Sequence, residues 1–205
     1  MEATTTTTRG ARVSLAGWPI VGWATLIVVA IQLAVFALAG TGEEGVRMAI
    51  RASARTSVVL FGLAFVASSL YRLAPGTFTR WLLANRRYFG VSFACSHAIH
   101  LAAIVTLARV FGAELPALII GVGGLAYVFI AAMTATSFDR TTRWLGARNW
   151  HRLHGFGARY IWFVFFVSYL PKPGEQITPI PSLFFALVVA MAAIRTAAWW
   201  KARSR

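Results

Sequence analysis

The chain has 205 residues, of which 58% are hydrophobic and 13% charged, with a mean hydropathy of +0.66. Soluble domains carry about 25% charged residues, so this composition belongs to a membrane protein and excludes an ordinary soluble enzyme domain. The formal net charge of +14 does not indicate nucleic acid, because the basic residues flank apolar runs instead of forming a stripe on a soluble face.

Residues 1–17 form a polar, threonine-rich arm that is expected to be disordered. Arg9 and Arg12 precede an apolar run, and Ala37-Leu38-Ala39 looks like a cleavage site. The uncharged stretch from Ile20 to Ala39 is nevertheless longer than the ~7–15 residues of a signal h-region, so it reads as a first membrane helix. A hydrocarbon core ~30 Å thick needs ~20 apolar residues.

Six runs fit that length or nearly so. They are Trp18–Ala39, a run from about Arg51 to Arg72, Tyr88–Ala108, Leu115–Phe138, Trp150–Leu170, and Ile180–Trp200. In the second, Arg55 would snorkel to the interface. Pro116 suits a first helical turn, and the glycines of Gly121-Val122-Gly123-Gly124 would permit close helix packing. Trp18, Trp23, Trp81, Trp144, Trp150, Trp199 and Trp200 fall at run boundaries, as interfacial anchors do.

With the N-terminus inside, the inner segments hold 14 of the 20 Lys and Arg residues and the outer segments 5. Arg159 lies within the fifth run. The positive-inside rule therefore predicts an all-α bundle of six transmembrane helices over residues 18–200, with both termini and the basic tail 201–205 cytoplasmic. No segment is long enough for a flavin or nicotinamide domain, and no dinucleotide or P-loop motif occurs.

All four histidines fall in two of these helices, as His97/His100 and His151/His154. Residues three apart share one helix face. Neutral imidazole ligates haem iron, zinc and copper, and ionisable groups inside a span mark functional sites. Cys95 reads as a buried, inert thiol. Arg86, Arg87, Arg148 and Arg152 read first as topology-setting charge and second as partners for haem propionates.

Two stretches carry a family resemblance. The first is Asn85-Arg86-Arg87-Tyr88-Phe89-Gly90 followed by His100. The second is Ala135-Thr136-Ser137-Phe138-Asp139-Arg140, then Leu145-Gly146, Trp150 and Leu153-His154. Together, over about residues 51–171, they resemble the ferric reductase-like transmembrane domain, whose members include the membrane subunits of bacterial methionine-sulfoxide-reducing systems. The resemblance implies b-type haem held between the third and fifth helices, with His100 and His154 at the iron and His97 and His151 as further candidates. It also implies electron transfer in a bacterial inner membrane. Two-haem members carry two histidines per helix about four turns apart. Four turns beyond His154 stand Val167, Ser168 and Tyr169, and four turns beyond His100 stands Ala113, so at most one haem is expected.

Depth refines the choice of ligands. If the third helix enters near Arg87 and the fifth near Arg148, His97 lies ~15 Å in, His100 ~20 Å and His154 ~9 Å. His97 and His154 are then the closest in depth. Electrons would come from a separate reductase or a quinol, and the acceptor would also be separate. The alternatives are a four-histidine zinc or copper site and a cofactor-free scaffold for another membrane protein.

Overall fold

The computed structural model describes residues 15–171 and 178–204. The expectations for residues 1–14 and for the last residue of the basic tail, Arg205, fall outside the described residues. The described chain is all-helical: α1 (Trp18–Ala39), α2 (Glu43–Leu73), α3 (Thr77–Val110), α4 (Ala117–Ala135), α5 (Asp139–Leu145), α6 (Ala147–Tyr169) and α7 (Pro179–Arg203). Five of these, α1 to α4 and α7, are long and apolar enough to cross a membrane. The expected fifth span forms as a helix, α6. It falls outside that set while carrying Arg148, Arg152 and Arg159 in its first thirteen positions.

Several boundaries differ from expectation. The third helix begins eleven residues early, at Thr77. Gly76 caps it through Thr79, whose Oγ1 accepts from the Gly76 N–H at 3.0 Å. The second helix begins at Glu43, well before Arg51, where Glu43 and Glu44 complement the positive N-terminal end of the helix dipole. Glu43 also pairs with Arg47 at 2.7 Å, one turn on. Pro116 caps α4 instead of lying in its first turn. An unexpected short helix, α5, follows α4. Gly146 (φ +77°) then turns the chain into α6, a backbone conformation costly for any residue with a Cβ.

The bundle is organised on α2, which packs against α1, α3 and α7, while α6 packs against α4 and α7. The core joins Val58, Phe61 and Phe65 of α2 to Phe93, Ile130, Ile161, Phe165, Val188 and Met191 from the other helices. Lipid is as apolar as leucine, so such a bundle is held by close packing and interhelical hydrogen bonds. Both are concentrated on the α2–α3 seam. Ser53, Ser57 and Ser96 are fully buried there, and Ser96 Oγ bonds Thr56 Oγ1 and Ser57 Oγ, each at 2.9 Å. In contrast α1 is apolar on nearly every side and buries only Ile20, Val28 and Gln32, its one strongly polar residue.

The glycines that bring elements together are not those of α4. A Cβ at Gly121, Gly123 or Gly124 would meet nothing within 4 Å, whereas one at Gly157 would lie 2.6 Å from Met133 Sδ and one at Gly62 2.3 Å from Met191 Cε. The last residues of the N-terminal arm are also placed. The Gly17 N–H donates to Asn85 Oδ1 at 2.8 Å, and Trp81 Nε1 donates to the Leu15 carbonyl at 2.8 Å.

Candidate functional site

The buried seam between α2 and α3 leads to the first histidine pair. His97 and His100 stand one turn apart on α3, their rings 4.9 Å apart and near parallel. His100 Nδ1 lies 3.1 Å from the Ile50 carbonyl and 3.0 Å from Ser53 Oγ. A carbonyl only accepts, so Nδ1 carries the proton and Nε2 is left as the lone-pair nitrogen. The arrangement matches that of metal-ligating histidines, whose second ring nitrogen is fixed by a backbone carbonyl.

His97 sits in an aromatic cage of Tyr127 (4.9 Å), Phe93 (5.2 Å) and Phe165 (5.9 Å). The Tyr127 hydroxyl donates to the His97 carbonyl at 3.3 Å. The ring itself gains nothing from that bond: His97 Nδ1 is buried with no hydrogen-bond partner among the described residues. Such an orphaned group costs about 1–3 kcal/mol.

The second pair is built differently. Trp150 stacks on His154 at 4.0 Å, and its Nε1 donates to the Thr136 carbonyl at 3.0 Å, tying the start of α6 to the end of α4. Thr136 Oγ1 donates to the Ala132 carbonyl at 2.7 Å, so it accepts from His154 Nε2–H at 3.0 Å. His154 is therefore the opposite tautomer to His100, with Nε2 already engaged. His151 is exposed and touches Trp150 edge-on at 5.2 Å.

Two landmarks fix how α3 and α6 lie side by side. Arg86 is within electrostatic reach of His154. Phe165 packs on both His97 and Phe93. Phe165 lies eleven residues along α6 from His154, so its ring contact with His97 sets the level of the first pair relative to the second. His97 consequently lies ~16 Å along the bundle from His154 at ~1.5 Å per residue, not the ~6 Å expected from the sequence. The difference arises because α3 starts at Thr77 and its arginine pair already lies beside the second turn of α6. The structure thus brings His97 and His100 together, and His151 and His154 together, but does not bring the pairs to one another. Among the described residues no three His, Cys, Asp or Glu side chains converge as a metal site.

The same register places Ser168 level with His100. Val167 and Ser168 therefore stand on α6 at the level of His100, and no histidine of α6 does.

Charge around the second pair is set by α5. Arg87 pairs with Asp139, at the start of that helix, and Trp18 stacks on Phe138 at 5.6 Å and meets Tyr88 edge-on at 5.4 Å. The hydrogen bond from Arg87 and its positive charge hold the Asp139 carboxyl below the usual carboxylate range. Arg159 is exposed on α6 and lies within reach of Arg195. Arg195 is the residue that sequence reasoning missed. It donates to the Phe65 carbonyl at 2.9 Å and lies 4.2 Å over the Phe65 ring, which satisfies a cation inside the bundle with no acid. Its position eight residues before Arg203, well inside an apolar helix, was the available signal. Cys95 is a free, half-buried thiol.

Fold and site together define an all-helical protein with several membrane-length helices and a polar, histidine-containing seam at the centre. Searches against family models, curated proteins and solved structures find no match to this chain.

Proposed function

We propose that this chain is an integral membrane redox protein of the ferric reductase-like kind, which holds a single b-type haem on His100 and passes electrons within or across the bilayer. The observation that carries the reading is the His100 ring, anchored through Nδ1 to Ile50 and Ser53 so that Nε2 keeps its lone pair, with the His97 ring 4.9 Å away. A haem bound there would supply reversible one-electron chemistry, its potential set by axial ligation, burial and nearby charge. The chain's own contribution is orientation and exclusion of water. Ile50 and Ser53 fix the ligand tautomer, while Phe93, Phe165 and Tyr127 close an apolar wall around His97.

Haem ligation by His100 or His97 together with His154 does not fit the register of α3 and α6. On this reading His100 would hold the iron, and His97, its ring 4.9 Å away on the same helix, would line the site. In the proposed topology α6 is the fifth of six spans, α5 is an inner-surface helix, both termini face the cytoplasm of a bacterial inner membrane, and a separate reductase or quinol supplies the electrons.

Absorbance of the purified protein, expressed with ample haem, tests the reading. A Soret band that shifts on dithionite reduction, with iron and haem near one per chain, is the expected result. A colourless, haem-free protein overturns it. A second reading, a cofactor-free scaffold, is favoured by His154, whose Nε2 is committed to Thr136 and whose ring is committed to Trp150. A four-histidine zinc or copper cage requires the two pairs to meet, and they stand ~16 Å apart along the bundle. Metal analysis of a colourless preparation separates these two.

A further inference from the structure

A groove of about 450 Å³, open along one side, runs between α1, α2 and α3, with Phe184 of α7 at its edge. Its walls are almost wholly apolar. Leu15 and Trp81 form one end, Trp23, Ala24 and Val59 line its length, and Arg55 and Phe184 form the other end. The length follows from the α2–α3 register. Thr56 is level with Ser96, to which it is hydrogen-bonded at 2.9 Å, and Trp81 lies fifteen residues before Ser96, so the groove spans ~22 Å. One leaflet of a ~30 Å hydrocarbon core is ~15 Å deep, so the groove is long enough for an extended acyl chain.

The Arg55 end is chemically distinct. Arg55 is half-buried, and its stem forms part of the wall. Its guanidinium has no hydrogen bond or ion pair with any described residue, and Tyr169 is the polar side chain within electrostatic reach. The acids that are paired, Glu43, Glu44 and Asp139, are engaged with Arg47, Arg51 and Arg87. A cation at the end of an apolar groove calls for an anion, and a bilayer offers one attached to a chain of suitable length.

We propose that this groove is a phospholipid site, with one acyl chain lying along α1 and α2 and the lipid phosphate seated on Arg55. The site shares no residue with the histidine seam except through Thr56, and it does not depend on whether haem is bound. It also gives the chain a reason to place Arg55 beside the wholly apolar run Val58–Ala67 of α2. The stem lies along the groove wall while the charge reaches the phosphate.

Native mass spectrometry of the full chain, titrated with palmitoyl-oleoyl phosphatidylglycerol in detergent, tests this. Wild type should retain one lipid per chain. Arg55→Gln should weaken retention by about five-fold, the worth of one arginine against an anionic headgroup. Ala24→Trp and Val59→Trp, which fill the groove from opposite walls, should abolish it, whereas Arg203→Gln, at the far end of α7, should not change it. Ala24→Leu repeats the test with less bulk should tryptophan prevent folding. Equal retention in the groove-filling variants overturns the site. Loss in those variants with none in Arg55→Gln overturns the phosphate contact and leaves an uncharged lipid as the occupant.

Discussion

Replacing His100 and His154 one at a time distinguishes a one-histidine layer from a ligand pair shared between α3 and α6. Two imidazole nitrogens on one metal ion stand about 4 Å apart, twice a metal–nitrogen distance of about 2.0 Å. Phe165, eleven residues along α6 from His154, packs against His97, which leaves ~16 Å along the bundle between the two levels, about three helical turns. Rotamer changes and a few ångströms of helix sliding do not cover that distance. On the proposed haem reading, His100→Ala should therefore remove the Soret band, while His154→Ala should leave its position and intensity nearly unchanged. Ser53→Ala, which removes one of the two groups holding His100 Nδ1, should weaken haem retention by about 10- to 100-fold, as loss of a partner behind a ligand does. Reduced-minus-oxidised spectra normalised to protein read all three variants. Electron paramagnetic resonance of the oxidised protein reports the number of strong axial ligands. Equal loss of a low-spin signal in His100→Ala and His154→Ala would refute the register.

Further expectations concern packing, charge and topology. Ser96→Ala removes two interhelical hydrogen bonds from a fully buried site and should lower stability by about 1 kcal/mol, given roughly 0.6 kcal/mol for each bond in a membrane bundle, read by thermal unfolding in detergent. Gly45→Ala places a Cβ 1.9 Å from the Gly40 carbonyl oxygen, which is backbone and cannot turn aside, so it should cost about 1–3 kcal/mol in the same assay. Gly121→Ala, with open space around it, should be neutral or slightly stabilising.

The Asp139 carboxyl is depressed by Arg87, so the stability it contributes is complete above the ordinary carboxylate range and lost as pH falls through its lowered value. The Trp18–Phe138 stack beside it should accordingly be steady at neutral pH and loosen only below about pH 4, as read by tryptophan fluorescence. Asp139→Asn should abolish that acid transition. Single cysteines at Ala16 and Ser204, in a Cys95→Ala background, should both be labelled from the cytoplasmic side only. Labelling of either from outside rules out the proposed orientation.

Composition and charge spacing already determined a great deal. The first helix was legible to its end residues, because an uncharged run bounded by Pro19 and Gly40 leaves little choice in a hydrocarbon core. Helicity of the remaining runs followed from the same constraint, since backbone groups in lipid must be satisfied within the segment. The pairing of His97 with His100, and of His151 with His154, followed from helix geometry alone.

The register of one helix against another was not legible. Apolar runs show where a chain leaves the hydrocarbon, but a helix can continue beyond that point, as α3 does back to Thr77 through arginines and a glycine cap. That extension moved the two histidine pairs apart, and no spacing within the sequence encodes it. The same holds for the tautomers. Only the tertiary structure brings the Ile50 carbonyl to His100 and the Thr136 hydroxyl to His154, because each contact joins residues on different helices. Arg195 and Arg55 make the point for charge. In sequence both are arginines within predicted spans, yet packing gives one a carbonyl and an aromatic face and leaves the other at the end of a groove. The sequence therefore decided that this chain is helical, apolar and membrane-suited, and which residues could carry chemistry. Tertiary packing decided which of those residues meet, since contact between helices depends on their relative slide and rotation, which local periodicity does not constrain.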